Sequence, residues 1–124
     1  MITKIDTIQS ARKGIICADG FEISIQASSN HYCEPRIDGI DILYTSVELG
    51  FPSERDTFID GYVEDLSEEG EEIDYTKSVY PYVPAETVSY LIAKHGGFLS
   101  GEMPKLGMIV ENVVRMPILI ASKA

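Results

Sequence analysis

The stretch KGIICADGFEISIQA, Lys13 to Ala27, decides how the rest of the chain is read. Two apolar runs, Lys13 to Ala18 and Phe21 to Ala27, flank Asp19-Gly20. Asp-Gly between such runs is a strong hairpin signal, because a type I′ turn needs positive φ at both central positions. In the second arm Phe21, Ile23, Ile25 and Ala27 alternate with Glu22, Ser24 and Gln26, which makes one face apolar and the other wet. The expectation is an antiparallel sheet with a solvent side.

Working outward, KIDTIQ (Lys4 to Gln9) supplies another strand on the N-terminal side. On the C-terminal side ILYTSVELGF (Ile42 to Phe51) supplies a further one, with Tyr44, Ser46, Glu48 and Gly50 opposite Thr45, Val47, Leu49 and Phe51. A short helix fits ERDTFIDGYVEDL, although Gly61 lies inside the pattern. DYTKSVYPYVP is β-branched and aromatic and reads as a strand. Pro81 and Pro84 cannot donate to a ladder, which puts that strand at an edge, open to a ligand or to another copy. PAETVSYLIAKH, Pro84 to His95, is the clearest helix. Pro84 suits its first turn, Glu86 complements the positive end of its dipole, and Gly96-Gly97 stops it. Val88, Leu91, Ile92 and His95 share one face, placed to pack on the sheet. The apolar tail from Leu106 to Ala121 fits one or two strands, or a helix leading into a strand. The expected fold class is α+β: one domain over residues 1–124, an antiparallel sheet covered by one main helix in the C-terminal half, assembled into an oligomer. A chain of 124 residues has room for one core, and domains of this size often gain stability by associating.

Charge narrows the classes of function. The formal net charge is −10, but seven acidic residues and no basic ones lie between Glu64 and Asp74, inside an expected loop over residues 62–75. The remainder of the chain is close to neutral. A run of like charges reads first as a solvated loop. The sharper alternative is a decoy that occupies a DNA-binding protein's groove. A basic surface tracking a nucleic-acid backbone is disfavoured. Cys17 and Cys33 are too few for a disulfide framework, the N-terminus carries no apolar signal core, and the apolar run Met116 to Ala121 is far short of the roughly 18 residues that span a membrane. A cytoplasmic protein with reduced thiols and no membrane partner is expected.

Catalytic motifs are sparse. Cys33 lies two residues from His31, a spacing at which a nucleophile and a base can touch, but no Gly-x-Ser-x-Gly elbow accompanies them. A metal site from His31, Cys33 and His95 lacks paired spacing, and neither a phosphate loop nor a dinucleotide fingerprint occurs. No cofactor and no catalytic residue are expected. What remains suits the gripping of a small anionic ligand. Tyr32, Tyr80, Tyr82 and Phe98 offer flat faces, and Arg36 and Arg115 offer planar forks that match phosphate. The plainer reading of Tyr80 and Tyr82 is strand packing. Arg115 interrupts the apolar run VENVVRMPILIA, where a charge needs a partner.

Three blocks, ISIQASSNHYCEPR (Ile23 to Arg36), YTSVELGFPS (Tyr44 to Ser53) and VYPYVPAETVSYLIAKHGG (Val79 to Gly97), resemble the first family of Thoeris anti-defence proteins of bacteriophages and prophages. The resemblance covers about a third of the chain. It implies a small cytosolic homo-oligomer that binds a cyclic ADP-ribose isomer made by bacterial TIR enzymes and keeps it from its effector, without hydrolysing it. Some members of that family also hold cyclic di- or trinucleotides at a separate site. The family stacks its ligand's adenine on an aromatic ring, with an arginine reaching across a subunit interface. Phe98 and Arg115 are the candidates for those roles by residue type. Tyr32, Arg36 and Tyr82 complete the expected ligand site, with Pro35 fixing the turn that presents Tyr32 and Arg36.

Overall fold

The computed structural model describes residues 11–110 and 113–115. The expected strand at Lys4 to Gln9 and the segment 116–121 lie outside the described residues.

The hairpin forms where the opening stretch places it. β1 (Ile15–Cys17) and β2 (Glu22–Gln26) pair antiparallel with Ile15 opposite Ile23. The turn differs from type I′. Gly20 N–H donates to Cys17 C=O, and only Gly20, at φ +95°, is left-handed, while Asp19 is not. One left-handed glycine after a tight turn makes a three-residue loop, in which Asp19 is free of the positive φ that the two-residue turn demands.

β3 (Ser46–Gly50) pairs with β2, and β4 (Val79–Pro84) pairs with β3. After the helix α1 (Ala85–Lys94), β5 (Phe98–Ser100) returns to the other side of β1. The sheet order is β4-β3-β2-β1-β5, every pairing antiparallel. β6 (Met108–Val110) and β7 (Val113–Arg115) form a separate hairpin, so the start of the apolar tail is strand. The helix expected in ERDTFIDGYVEDL is a 3-10 segment, Thr57–Tyr62, capped by Asp56.

Alternation decides which side chains enter the core. Ile15, Ile23, Ile25, Leu49, Val47, Tyr80 and Val83 sit on the inner face and are buried against Val88, Leu91 and Ile92 of α1. Burial of this kind contributes roughly 25 cal/mol per Å² of apolar surface. The buried phenols keep hydrogen bonds: Tyr44 donates to Ile37 C=O and Tyr80 to Tyr75 C=O, each at 2.7 Å. Phe51, expected on the apolar side of its strand, is 58% exposed. Its φ of +51° ends the strand and turns the ring outward.

β4 is an edge strand, as its prolines dictate. Its Val79 C=O accepts from Glu64 N–H, and its Tyr82 N–H donates to Tyr32 C=O. The helix begins at Ala85 with Pro84 as its N-cap, and stops at His95 before left-handed Gly96, whose α-carbon approaches so near the β1–β2 turn that a Cβ there would meet Ala18 Cβ at 2.9 Å.

Candidate functional site

The outer face of the sheet is polar, and part of it is covered. Gln26 is 7% exposed because the segment before β1 lies across it: Arg12 N–H donates to Gln26 Oε1, and Gln26 Nε2 donates to Arg12 C=O. The loop 28–38 folds over the same face. Glu34 N–H donates to Ser46 C=O, and Thr45 N–H to Glu34 C=O. Inside the loop the buried Cys33 thiol donates to Ser28 C=O at 3.2 Å and to Pro35 C=O at 3.5 Å.

Three of the five expected ligand residues meet where this loop reaches β4. Between the pairs Val47–Val83 and Leu49–Tyr80 the register slips, so Pro81 and Tyr82 together oppose Glu48 alone. Tyr82 sits in this bulge at φ +52°. A left-handed backbone costs a residue with a Cβ roughly 1–2 kcal/mol, and bulges re-aim side chains. Here the bulge brings the Tyr82 ring to 5.8 Å from the Tyr32 ring, tilted by 43°. Tyr32 is held on both sides, its N–H donating to Glu48 Oε1 at 3.0 Å and its C=O accepting from Tyr82 N–H at 3.1 Å. The Arg36 guanidinium lies 5.1 Å from the Tyr32 ring centre, a cation–π contact. Tyr32 is 39% and Tyr82 45% exposed, so both side chains reach solvent.

The other side of the loop lines a cleft of about 580 Å³, with Arg12, Gln26, Asn30, His31, Asp38 and Glu102 among its walls. That volume falls within the range of small-molecule sites. Arg12 donates to Ala27 C=O at 2.7 Å. Asp38 accepts from Ser29 N–H and Oγ, which holds its carboxyl below the usual carboxylate range. His31 Nδ1 is 2.7 Å from Ser28 Oγ, which also accepts from Asn30 N–H.

Phe98 does not join this site. Phe98 lies on β5 at the opposite edge of the sheet, half-buried and packed on the core. Arg115 ends β7, whose pairing partner is β6. Its side chain lies outside the described residues. Tyr80 is a core residue, which is the plainer of its two readings. Nor do His31, Cys33 and His95 converge. Among the described residues no group of three or more His, Cys, Asp or Glu is placed to hold a metal ion.

His95 belongs to a different constellation. Its ring stacks on Phe21 with centres 3.9 Å apart, and its Nδ1 and Nε2 lie 2.7 Å from Asp19 Oδ2 and Asp56 Oδ2. Asp56, its side chain 4% exposed, also accepts from Lys94 Nζ at 2.7 Å and from Phe58 N–H at 2.9 Å. Burial pushes the Asp56 carboxyl up, and the bonds from Lys94, Phe58 and His95 outweigh it, leaving it below the ordinary range. This clasp joins the helix end, the β1–β2 turn and the 3-10 segment.

Sequence reasoning overlooked Arg12, Glu48 and Asp56. Arg12 had a signal in its scarcity, being one of four arginines. Glu48 carries none until strand register is known, and Asp56 had only the local one of an acidic cap before a short helix, its partners Lys94 and His95 lying far along the chain. No family model matches the chain, and no curated protein or solved structure matches it either.

Proposed function

We propose that the protein sequesters a nucleotide signal of the cyclic ADP-ribose type without altering it, and so blocks a bacterial TIR-driven Thoeris defence. In this reading it acts in the cytoplasm of the host bacterium as a homo-oligomer. The observation that carries the reading is Tyr82, kept left-handed in an edge bulge so that its ring meets Tyr32 beside Arg36. Local strain of this kind is retained where it serves a site. Two rings suit a base, and a guanidinium suits phosphate. Arg55 is taken by Asp60, at 2.6 Å, and by the Tyr75 ring. Among the described residues Arg36 has no carboxylate partner, which leaves its donors for a ligand anion.

Binding is favoured over turnover by the state of the nearby nucleophiles. Burial pushes the Cys33 thiol up, against the bond to Ser28, so it stays a thiol and a poor nucleophile. Ser28 and His31 are bonded within one turn, and the oxygens of Asp38 go to Ser29 and not to His31.

Sequestration is tested by release. Excess protein is mixed with the product of an activated TIR enzyme, unbound signal is removed, and the protein is heat-denatured. Intact signal recovered on heating supports the reading. Signal lost without recovery makes the protein an enzyme, and signal left free sinks the nucleotide reading in favour of the acidic protein-binding inhibitor, a DNA mimic built on Glu64 to Asp74.

A further inference from the structure

We propose that Glu48 selects the ligand's base, admitting one that bears an exocyclic amine and rejecting one that bears a carbonyl at that place. The inference rests on the nucleotide reading above. Glu48 is the one residue opposite the two-residue bulge that holds Tyr82, and its carboxylate reaches the backbone of Tyr32. Its Oε1 accepts the Tyr32 N–H at 3.0 Å, and the Tyr32 C=O accepts the Tyr82 N–H at 3.1 Å. A single carboxylate therefore stands at the foot of the pair whose rings are 5.8 Å apart.

A carboxylate offers about four acceptor positions and no donor. Among the described residues Glu48 Oε1 receives this one bond, Oε2 receives none, and no lysine or arginine pairs with the group. It is half-buried, and a partly desolvated anion favours a donor beside it. The flat part of a ligand laid against Tyr32 or Tyr82 turns its edge toward this oxygen. The amine of adenine donates to it. The carbonyl of hypoxanthine sets oxygen against oxygen, with no proton between them.

Glu48→Gln separates selection from support, since the Gln carbonyl still accepts the Tyr32 N–H while its NH2, a donor only, meets the carbonyl of hypoxanthine and has nothing to offer the amine of adenine. Affinities are measured by calorimetry for a cyclic ADP-ribose isomer and its hypoxanthine counterpart, with wild type, Glu48→Gln and Glu48→Ala. Wild type is expected to prefer the amine form by about tenfold or more, the worth of one charge-assisted hydrogen bond. In Glu48→Gln the preference for the amine form is lost or reversed, at an unchanged melting temperature. Glu48→Ala, which also frees Tyr32, weakens both. A wild type that binds both nucleotides equally, or a Glu48→Gln protein that keeps the wild-type ratio, overturns the proposal. If wild type binds neither nucleotide, the sequestration reading falls and this inference falls with it.

Discussion

Replacing Asp56 with alanine removes one carboxylate from three hydrogen bonds, and each loss can be sized from its surroundings. The bond to Phe58 N–H is an N-cap, worth about 1 kcal/mol. Lys94 is half exposed, so water replaces most of what it loses, and a few tenths of a kcal/mol is a fair figure. His95 is the expensive partner. Its side chain is 11% exposed, and a buried N–H without an acceptor costs about 1–3 kcal/mol. The total is about 3 kcal/mol, a large share of the roughly 5–15 kcal/mol that holds a domain together. For a chain of this length each kcal/mol moves the melting temperature by roughly 3–5 °C, so a fall of about 10–15 °C is expected by calorimetry, with urea unfolding as a check. The pH dependence has a definite sign. The folded Asp56 carboxyl is depressed below its ordinary value, so its contribution is complete above the unfolded value of about 3.9 and fades as pH falls through the folded one. Wild type and Asp56→Ala should therefore converge in stability as the solution is acidified below about pH 4. A loss under 1 kcal/mol at pH 7, or a gap that persists in acid, refutes the account of the clasp.

Three further outcomes are expected. Tyr82→Gly relieves the left-handed backbone while removing a half-exposed ring, so its stability should stay within about 1 kcal/mol of wild type. Its affinity for a cyclic ADP-ribose isomer should fall at least about tenfold, and retained affinity in a calorimetric titration removes Tyr82 from the site. Arg36→Lys keeps the charge but loses the planar fork that stacks and grips in two places. It should weaken binding about tenfold, whereas equal affinity would reduce Arg36 to a bystander. Neutralising the seven acids of Glu64 to Asp74 as their amides should leave signal release on heating unchanged, and its disappearance would make the acidic segment part of the function.

What was legible in the sequence was whatever repeats locally. The alternation in Phe21 to Ala27, the left-handed glycines after His95 and the prolines of β4 each impose a constraint within a few residues, and the elements they mark are present, although the strand expected over DYTKSVYPYVP begins only at Val79, after a 3-10 turn at Tyr75–Lys77. Phe51 was misplaced because alternation counts residues and is blind to a sign change in φ. The candidate site is harder to see, since it depends on register. Tyr32 and Tyr82 are fifty residues apart in number, and they meet only because two residues of β4 oppose one of β3. No propensity marks Tyr82 for a left-handed conformation, which tyrosine rarely adopts. Asp56 was hidden in the same way, as its partners come from the far end of α1. Tyr32 and Arg36 were singled out through residue type and proximity in the chain, and Phe98 through type alone.

A binder of the kind proposed above would inactivate its target one molecule at a time, which is useful only if it can be made in large amounts and stay dispersed. The edge at β4 bears on that requirement. Pro81 and Pro84 bring no N–H to it, the N–H of Tyr82 is spent on Tyr32, and the C=O of Val79 is spent on Glu64. A neighbouring copy meeting this side finds a kinked strand with few open groups and cannot extend the sheet. The same bulge that leaves two tyrosines half exposed therefore keeps that edge from recruiting a further strand, so exposed aromatic surface and a closed edge coexist in one small chain.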